Sequence, residues 1–209
     1  MKPELRALAD RTKGFLPDDE ADALRAAAAE AGVGLWLEVG TYCGKSTVHL
    51  GSVAQETGAQ LVTLDHHHGS EENQPGWEWH DPTTVDPYTG RMDTLPFLRH
   101  VLHEAGLEGV VSVLVATTQQ VARWWSSPLE LLFLDGNHTE EVAQHDYAAF
   151  APHVVEGGRL VIHDVFPDPR DGGRPPFHVW LRATTSGAFE TVGECGSLRV
   201  LRRTATPVT

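Results

Sequence analysis

The sequence predicts an α/β fold: a Rossmann-like, doubly wound, mostly parallel sheet of about seven strands, closed by a C-terminal antiparallel hairpin. Three observations predict it. Short apolar runs alternate with helical stretches, the pattern of a parallel sheet covered on both faces. The runs are continuously apolar, as strands buried on both faces must be. Glu38, Asp65, Asp135 and Asp164 fall at or near the carboxyl ends of these runs, the edge where such sheets bind ligands.

The elements follow in order. From Pro17 the reading is helical: a proline suits a first turn, the acids at 18–20 favour the positive helix end, and "ADALRAAAAEAG" stops at Gly32. Residues 1–32 therefore form an N-terminal helical segment. "LWLEVG" reads as a buried strand, "GKSTVHLGSVAQETG" as a helix and "QLVTLD" as a strand. The stretch "HHHGSEENQPGWEWHDPTTVDPYTG", at 66–90, is polar and rich in turn formers; a loop so long is usually functional or disordered. "RMDTLPFLRHVLHEAG" resumes as helix, "VVSVLVA" as strand, "TQQVARWW" as helix, "LELLFLD" as strand, "TEEVAQHDYAAFAPHV" as helix and "GRLVIHD" as strand. After a second polar loop, "FHVWLRATTSG" is helical, and "FETVGECGSLRVLRR" gives two strands around a Gly-rich turn. The chain reads as a single domain over 1–209.

Composition narrows the function. Of 209 residues 41 % are apolar, which fits a globular core. A formal net charge of −13 repels phosphate backbones and anionic lipid, so nucleic acid is not expected as a partner. Cys43 and Cys195 form neither a disulfide framework nor a zinc pattern. No start-proximal apolar region reads as a signal peptide, and no apolar run approaches the ~18 residues of a membrane span. A cytoplasmic protein is expected; oligomerisation stays open.

"EVGTYCGKST" (38–47) invites three readings. A P-loop needs four residues between its glycines, and Gly40 and Gly44 are separated by three. A dinucleotide fingerprint needs a middle glycine, which is absent. The third reading is an acidic residue followed by two spaced glycines, where backbone approaches a ligand and a carboxylate meets a cation. That suits S-adenosylmethionine, which carries an amine and a sulfonium and no phosphate.

The stretch "LEVGTYCGKST" resembles the first motif of class I S-adenosylmethionine-dependent methyltransferases. "LLFLDGNHTEEVAQHDYAAFAPHVVEGGRLVIHDV" is similar to a branch containing metal-dependent O-methyltransferases of antibiotic and polysaccharide sugars. The loop "HHHGSEENQPGWEWHD" resembles that of small mycobacterial methyltransferases of methylmannose polysaccharide biosynthesis. The resemblance spans roughly 34–165. It implies that Gly40 and Gly44 wrap the methionine part of the donor, with Glu38 near its amine and Ser46 near its carboxylate. It puts Asp65 at the ribose hydroxyls and Thr117 and Gln119 at adenine; a helix N-cap explains Thr117 equally well. The 66–90 loop would lie on the acceptor side, facing a small molecule or oligosaccharide.

Asp135 and Asp164 end neighbouring strands and would form a hard-oxygen site for Mg²⁺. Related enzymes carry a further ligand just before the second carboxylate, where this chain has His163; imidazole is a poorer Mg²⁺ ligand than oxygen, so His163 either supports the ligands from behind or binds a softer metal such as Mn²⁺. Glu71 or Glu72 are alternative third ligands. His138 is the candidate base, since Asn137 cannot take a proton. "DHHHG" suggests zinc only weakly, because adjacent histidines rarely chelate one ion. Trp77, Trp79 and Tyr88 suit sugar stacking, or pin the loop. The expected activity is methylation of a sugar hydroxyl. Methylation of another small molecule such as a catechol, a nicotinamide dehydrogenase, and a non-catalytic donor-binding protein are the competing readings.

Overall fold

The computed structural model describes residues 1–77 and 79–208; Glu78, in the 66–90 loop, and the terminal Thr209 lie outside the described residues. Seven strands form one sheet: β1 Leu35–Val39, β2 Gln60–Asp65, β3 Val111–Val115, β4 Leu129–Leu134, β5 Val154–Ile162, β6 Phe189–Cys195 and β7 Leu198–Arg203. Their order is β3-β2-β1-β4-β5-β7-β6. The first five are parallel, while β7 runs antiparallel to both β5 and β6. The expected fold class therefore holds, and the hairpin enters the sheet with its second strand innermost.

Alternate strand residues feed two cores. Trp36, Leu61, Leu131, Phe133 and Val161 pack with Leu24 of α2 (Asp18–Ala29), Leu50 of α3 (Lys45–Thr57) and Leu98 of α4 (Leu95–Ala105). Leu37, Leu64, Leu132 and Ile162 pack on the other face. Their partners are Val121 of α5 (Thr118–Ala122), Phe150 of α6 (Glu140–Phe150) and Val179 of α7 (Pro175–Thr185). Burying side chains of this size contributes about 1.5–3 kcal/mol each. Neighbouring residues of one strand serving opposite cores explains why the strands read as unbroken apolar runs.

Several boundaries differ from expectation. Pro3–Arg11 forms a separate helix, α1, whose Leu5, Leu8 and Ala9 are buried with Val48 of α3. α2 stops at Ala29 rather than Gly32, because the Gly32 carbonyl accepts from the Trp36 indole. α4 starts at Leu95, where the Asp93 carboxylate accepts from the Leu95 N–H. α5 ends before the two tryptophans: the Trp125 indole donates to the Ser127 carbonyl and its ring packs edge-on against Phe150. Among the described residues no helix is long and apolar enough to cross a membrane.

The order of strands reverses between β1 and β4, the topological switch point of such a sheet. Backbone bonds continue there past the strand ends: Gly40 N–H to Leu64 O, Asp135 N–H to Val39 O, and His163 N–H to Leu134 O. These bonds fix the loops that leave the sheet at its carboxyl edge.

Candidate functional site

A cavity of about 270 Å³ opens along that edge, with Gly40, Asp65, Thr117, Asp135, His138 and Asp164 among its walls. Gly40 holds φ +90°, and a Cβ there would stand 2.0 Å from the Asp135 carbonyl oxygen. Only glycine permits both the turn and this approach of β1's end to β4's end. Gly44 caps α3 in the left-handed region. Asp65 stitches the loop from the side: its Oδ2 accepts from the N–H groups of Thr41 and Tyr42, both at 2.9 Å, and its Oδ1 from His67 N–H at 2.7 Å.

Glu38 is not placed where the family resemblance put it. Its carboxylate is fully buried beneath the loop and accepts from Ser46 Oγ (2.6 Å), Thr47 Oγ1 (2.7 Å) and Thr63 Oγ1 (2.6 Å). Burial pushes its pKa up to about 7 against those hydroxyls. Glu38 thus ties β1, β2 and α3 together below the cavity, and Ser46 reaches the wall. Thr117 and Gln119 both line the cavity. Thr117 is also the N-cap of α5, accepting from Gln120 N–H while the Gln120 side chain accepts from Thr117 N–H.

At the ends of β4 and β5, Asp135, His138 and Asp164 bring one ligand atom each to within 4.8 Å of one another. His138 Nε2 lies 3.1 Å from Asp164 Oδ2, and its Nδ1 lies 3.3 Å from Glu72 Oε1. Burial opposes protonation of His138, yet Asp164 and Glu72 raise its pKa to about 10. Glu72 is lowered in turn, chiefly by its bond to His138. The carboxylates of Asp135 and Asp164 are oxygen donors suited to a hard divalent cation such as Mg²⁺ or Mn²⁺, while both His138 nitrogens already face carboxylates. Glu71, the other acid considered from sequence, is exposed.

His163 as a metal ligand is corrected. Its ring is 4 % exposed, with Nδ1 2.9 Å from Asp135 Oδ1 and Nε2 2.6 Å from Glu20 Oε2. Each nitrogen faces a carboxylate, so neither offers a lone pair to a cation. Burial opposes the charge, but Asp135, Glu20 and Asp164 lift its pKa to about 11. His163 instead orients Asp135. Glu20, read from sequence only as a first-turn acid, also accepts from Ser197 N–H at 2.6 Å and so joins α2 to the β6–β7 turn. The missed signal was its place on the buried stripe of α2 with Leu24 and Ala27.

The cavity mouth is built from the α1–α2 linker and the 66–90 loop. The Phe15 and Trp79 rings meet edge-on at 5.2 Å, Phe15 lies 5.5 Å from Tyr42, and Lys13 bonds Asp81 and Thr83. Trp77 is half exposed and Tyr88 is 99 % exposed, so Tyr88 does not pin the loop. The histidine run ties the loop down instead: His67 Nδ1 pairs with Thr94 Oγ1 and His68 Nδ1 with the Met92 carbonyl.

Residues 37–165 match the family model described as a methyltransferase domain. The whole fold is similar to several solved structures. A putative O-methyltransferase from Klebsiella pneumoniae is 15 % identical with a TM-score of 0.65, covering 98 % of this chain and 91 % of its own. The O-methyltransferase TomG from Streptomyces achromogenes, in complex with S-adenosylmethionine and involved in tomaymycin synthesis, is 14 % identical at TM-score 0.62, with coverage of 98 % and 91 %. An O-methyltransferase from Bacillus cereus, in complex with S-adenosylhomocysteine, is 15 % identical at TM-score 0.63, with coverage of 97 % and 92 %.

Proposed function

Because the chain belongs to the methyltransferase-domain family, we propose that it is an S-adenosylmethionine-dependent, divalent-metal-assisted O-methyltransferase acting on a sugar hydroxyl. The observation that carries this reading is the convergence of Asp135, His138 and Asp164 on the same cavity as the glycine loop. Gly40, Ser46, Asp65, Thr117 and Gln119 line the cavity where the donor would sit, and Gly44 shapes the loop as the left-handed cap of α3. Asp135 and Asp164 would hold the cation. The cation, when bound, supplies Lewis-acid polarisation of the acceptor hydroxyl.

The chain's own residues do the rest. His138, held between Asp164 and Glu72, is the candidate base and takes the hydroxyl proton in its neutral form. The acceptor oxygen attacks the donor methyl carbon, the carbon–sulfur bond breaks, S-adenosylhomocysteine leaves, and the hydroxyl proton passes to His138. His163 and Glu20 hold Asp135 in register throughout.

A sugar acceptor, including a mannoside of a methylmannose polysaccharide, is supported by the half-exposed Phe15, which lines the cavity, and Trp79, whose ring meets it, since an aromatic face suits the apolar face of a pyranose. The same Phe15–Trp79 pair also suits a planar phenolic ring, which keeps an aromatic natural product as the second reading. Labelled methyl transfer from S-adenosylmethionine to methylmannosides, antibiotic sugars and catechols, each with and without Mg²⁺, tests both. Metal-dependent labelling of a mannoside or other sugar is the expected result. Labelling of catechols alone replaces the sugar reading, and labelling of nothing in the panel overturns it.

A further inference from the structure

α6 carries a buried acid that the chemistry above does not use. Asp146 is 4 % exposed, lines the cavity, and its Oδ1 has no hydrogen-bond partner among the described residues. Among the described residues, Thr118, at the start of α5, is the side chain that hydrogen-bonds the carboxyl. Burial pushes its pKa up to about 7, with only Thr118 opposing. A dry carboxyl oxygen without a donor is unfavourable, and it becomes favourable once an N–H arrives. A structural acid that served only to hold α5 would have both oxygens engaged. The contrast is Glu38, whose two oxygens take three hydroxyls.

The surroundings narrow what the arriving donor is. Asp146 stands between Thr118 and Gly136; a Cβ on Gly136 would be 3.5 Å from Asp146 Oδ2, so nothing bulkier than glycine separates the carboxyl from the end of β4. Ala116 and Val142 give that end of the cavity apolar walls, and Gln119 a polar one. Apolar walls and one unpaired acceptor on a lining residue fit a flat heteroaromatic ring bearing an exocyclic amine. We propose that Asp146 accepts a hydrogen bond from the 6-amino group of the methyl donor's adenine and thereby selects an aminopurine. This rests on the S-adenosylmethionine reading and adds a specificity residue from α6, away from the segment after β3 where the sequence placed the adenine contacts.

The test compares S-adenosylhomocysteine with its 6-oxo analogue, S-inosylhomocysteine, by calorimetry on the wild type, Asp146→Asn and Asp146→Ala. The wild type is expected to bind the amino form about tenfold or more tighter, because a site built around a donor rejects a ligand that presents an acceptor there. Asp146→Asn offers both a donor and an acceptor and is expected to bring the two affinities together. Asp146→Ala is expected to weaken the amino form and leave the 6-oxo form little changed. Equal binding of both ligands by the wild type, a measurement that needs no variant, overturns the proposal while leaving the donor reading intact. So does discrimination that persists in a folded Asp146→Asn. Failure of the wild type to bind either ligand overturns the donor reading, and this proposal with it.

Discussion

Asp164 holds its backbone at φ 56° where β5 ends, a conformation costing of order 1–3 kcal/mol for a residue with a side chain and persisting only where its surroundings fix it. Here His138 and His163 stand 3.1 Å and 3.5 Å from its Oδ2, so the strain belongs to the candidate site. At this scale Asp135, His138 and Asp164 were legible, because each follows an apolar run that stops abruptly. The partners of His163 and the burial of Asp146 were not, since they depend on which faces of α2 and α6 turn inward. His49 is a residue of the same illegible kind. It is buried on α3, neither ring nitrogen has a partner among the described residues, and burial, with Arg6 and Arg25, holds its pKa down to about 4. The unfolded chain takes up a proton near pH 6.5 and the folded one resists it, so stability falls as pH drops through 6.5 toward 4. His49→Leu is therefore expected to raise unfolding free energy by about 1–3 kcal/mol, and by more at pH 5 than at pH 8. Urea unfolding at the two pH values checks this; a smaller gain at pH 5 would contradict it.

Among elements, the glycine loop after β1 was readable from its spacing, while its supports were not. The sequence put Glu38 and Asp65 against ligand; in the fold Glu38 lies beneath the loop and Asp65 faces two ways, bordering the cavity while accepting from the Thr41 and Tyr42 N–H groups. Asp65→Ala removes those acceptors and frees the loop. S-adenosylhomocysteine binding is expected to weaken by about 1–3 kcal/mol, the range for a charge-assisted bond. Mn²⁺ binding at the ends of β4 and β5 is expected to be unaltered. Calorimetry of both ligands checks the pair, and unchanged nucleoside affinity in a folded variant would remove Asp65 from the donor side. α1 was read only as part of a helical segment over 1–32 and not as a separate helix, because "PELRALADR" has mixed charge and gains its purpose only against α3 and α4. α5 was overread because its apolar tail, Trp124 and Trp125, serves packing and surface rather than a further turn.

Across the whole molecule, alternation of runs and helices made the parallel sheet legible, and the reversal of order between β1 and β4 explains why one edge gathers Gly40, Asp65, Asp135, His138 and Asp164. The acceptor was not legible in the same way. The cavity mouth joins Phe15 from the N-terminal segment to Trp79, sixty-four residues later, a juxtaposition that no local pattern encodes. The proposed function separates two tasks: the donor would bind on the loops after β1, β2 and β3, and the cation at the ends of β4 and β5. Methyl-transfer turnover and S-adenosylhomocysteine calorimetry on one preparation, before and after exhaustive chelation, test that division most directly. Turnover is expected to vanish on chelation and return with Mg²⁺ or Mn²⁺, while nucleoside affinity stays the same; Asp135→Ala should match the chelated enzyme even in excess metal. Full turnover after complete metal removal would contradict the account.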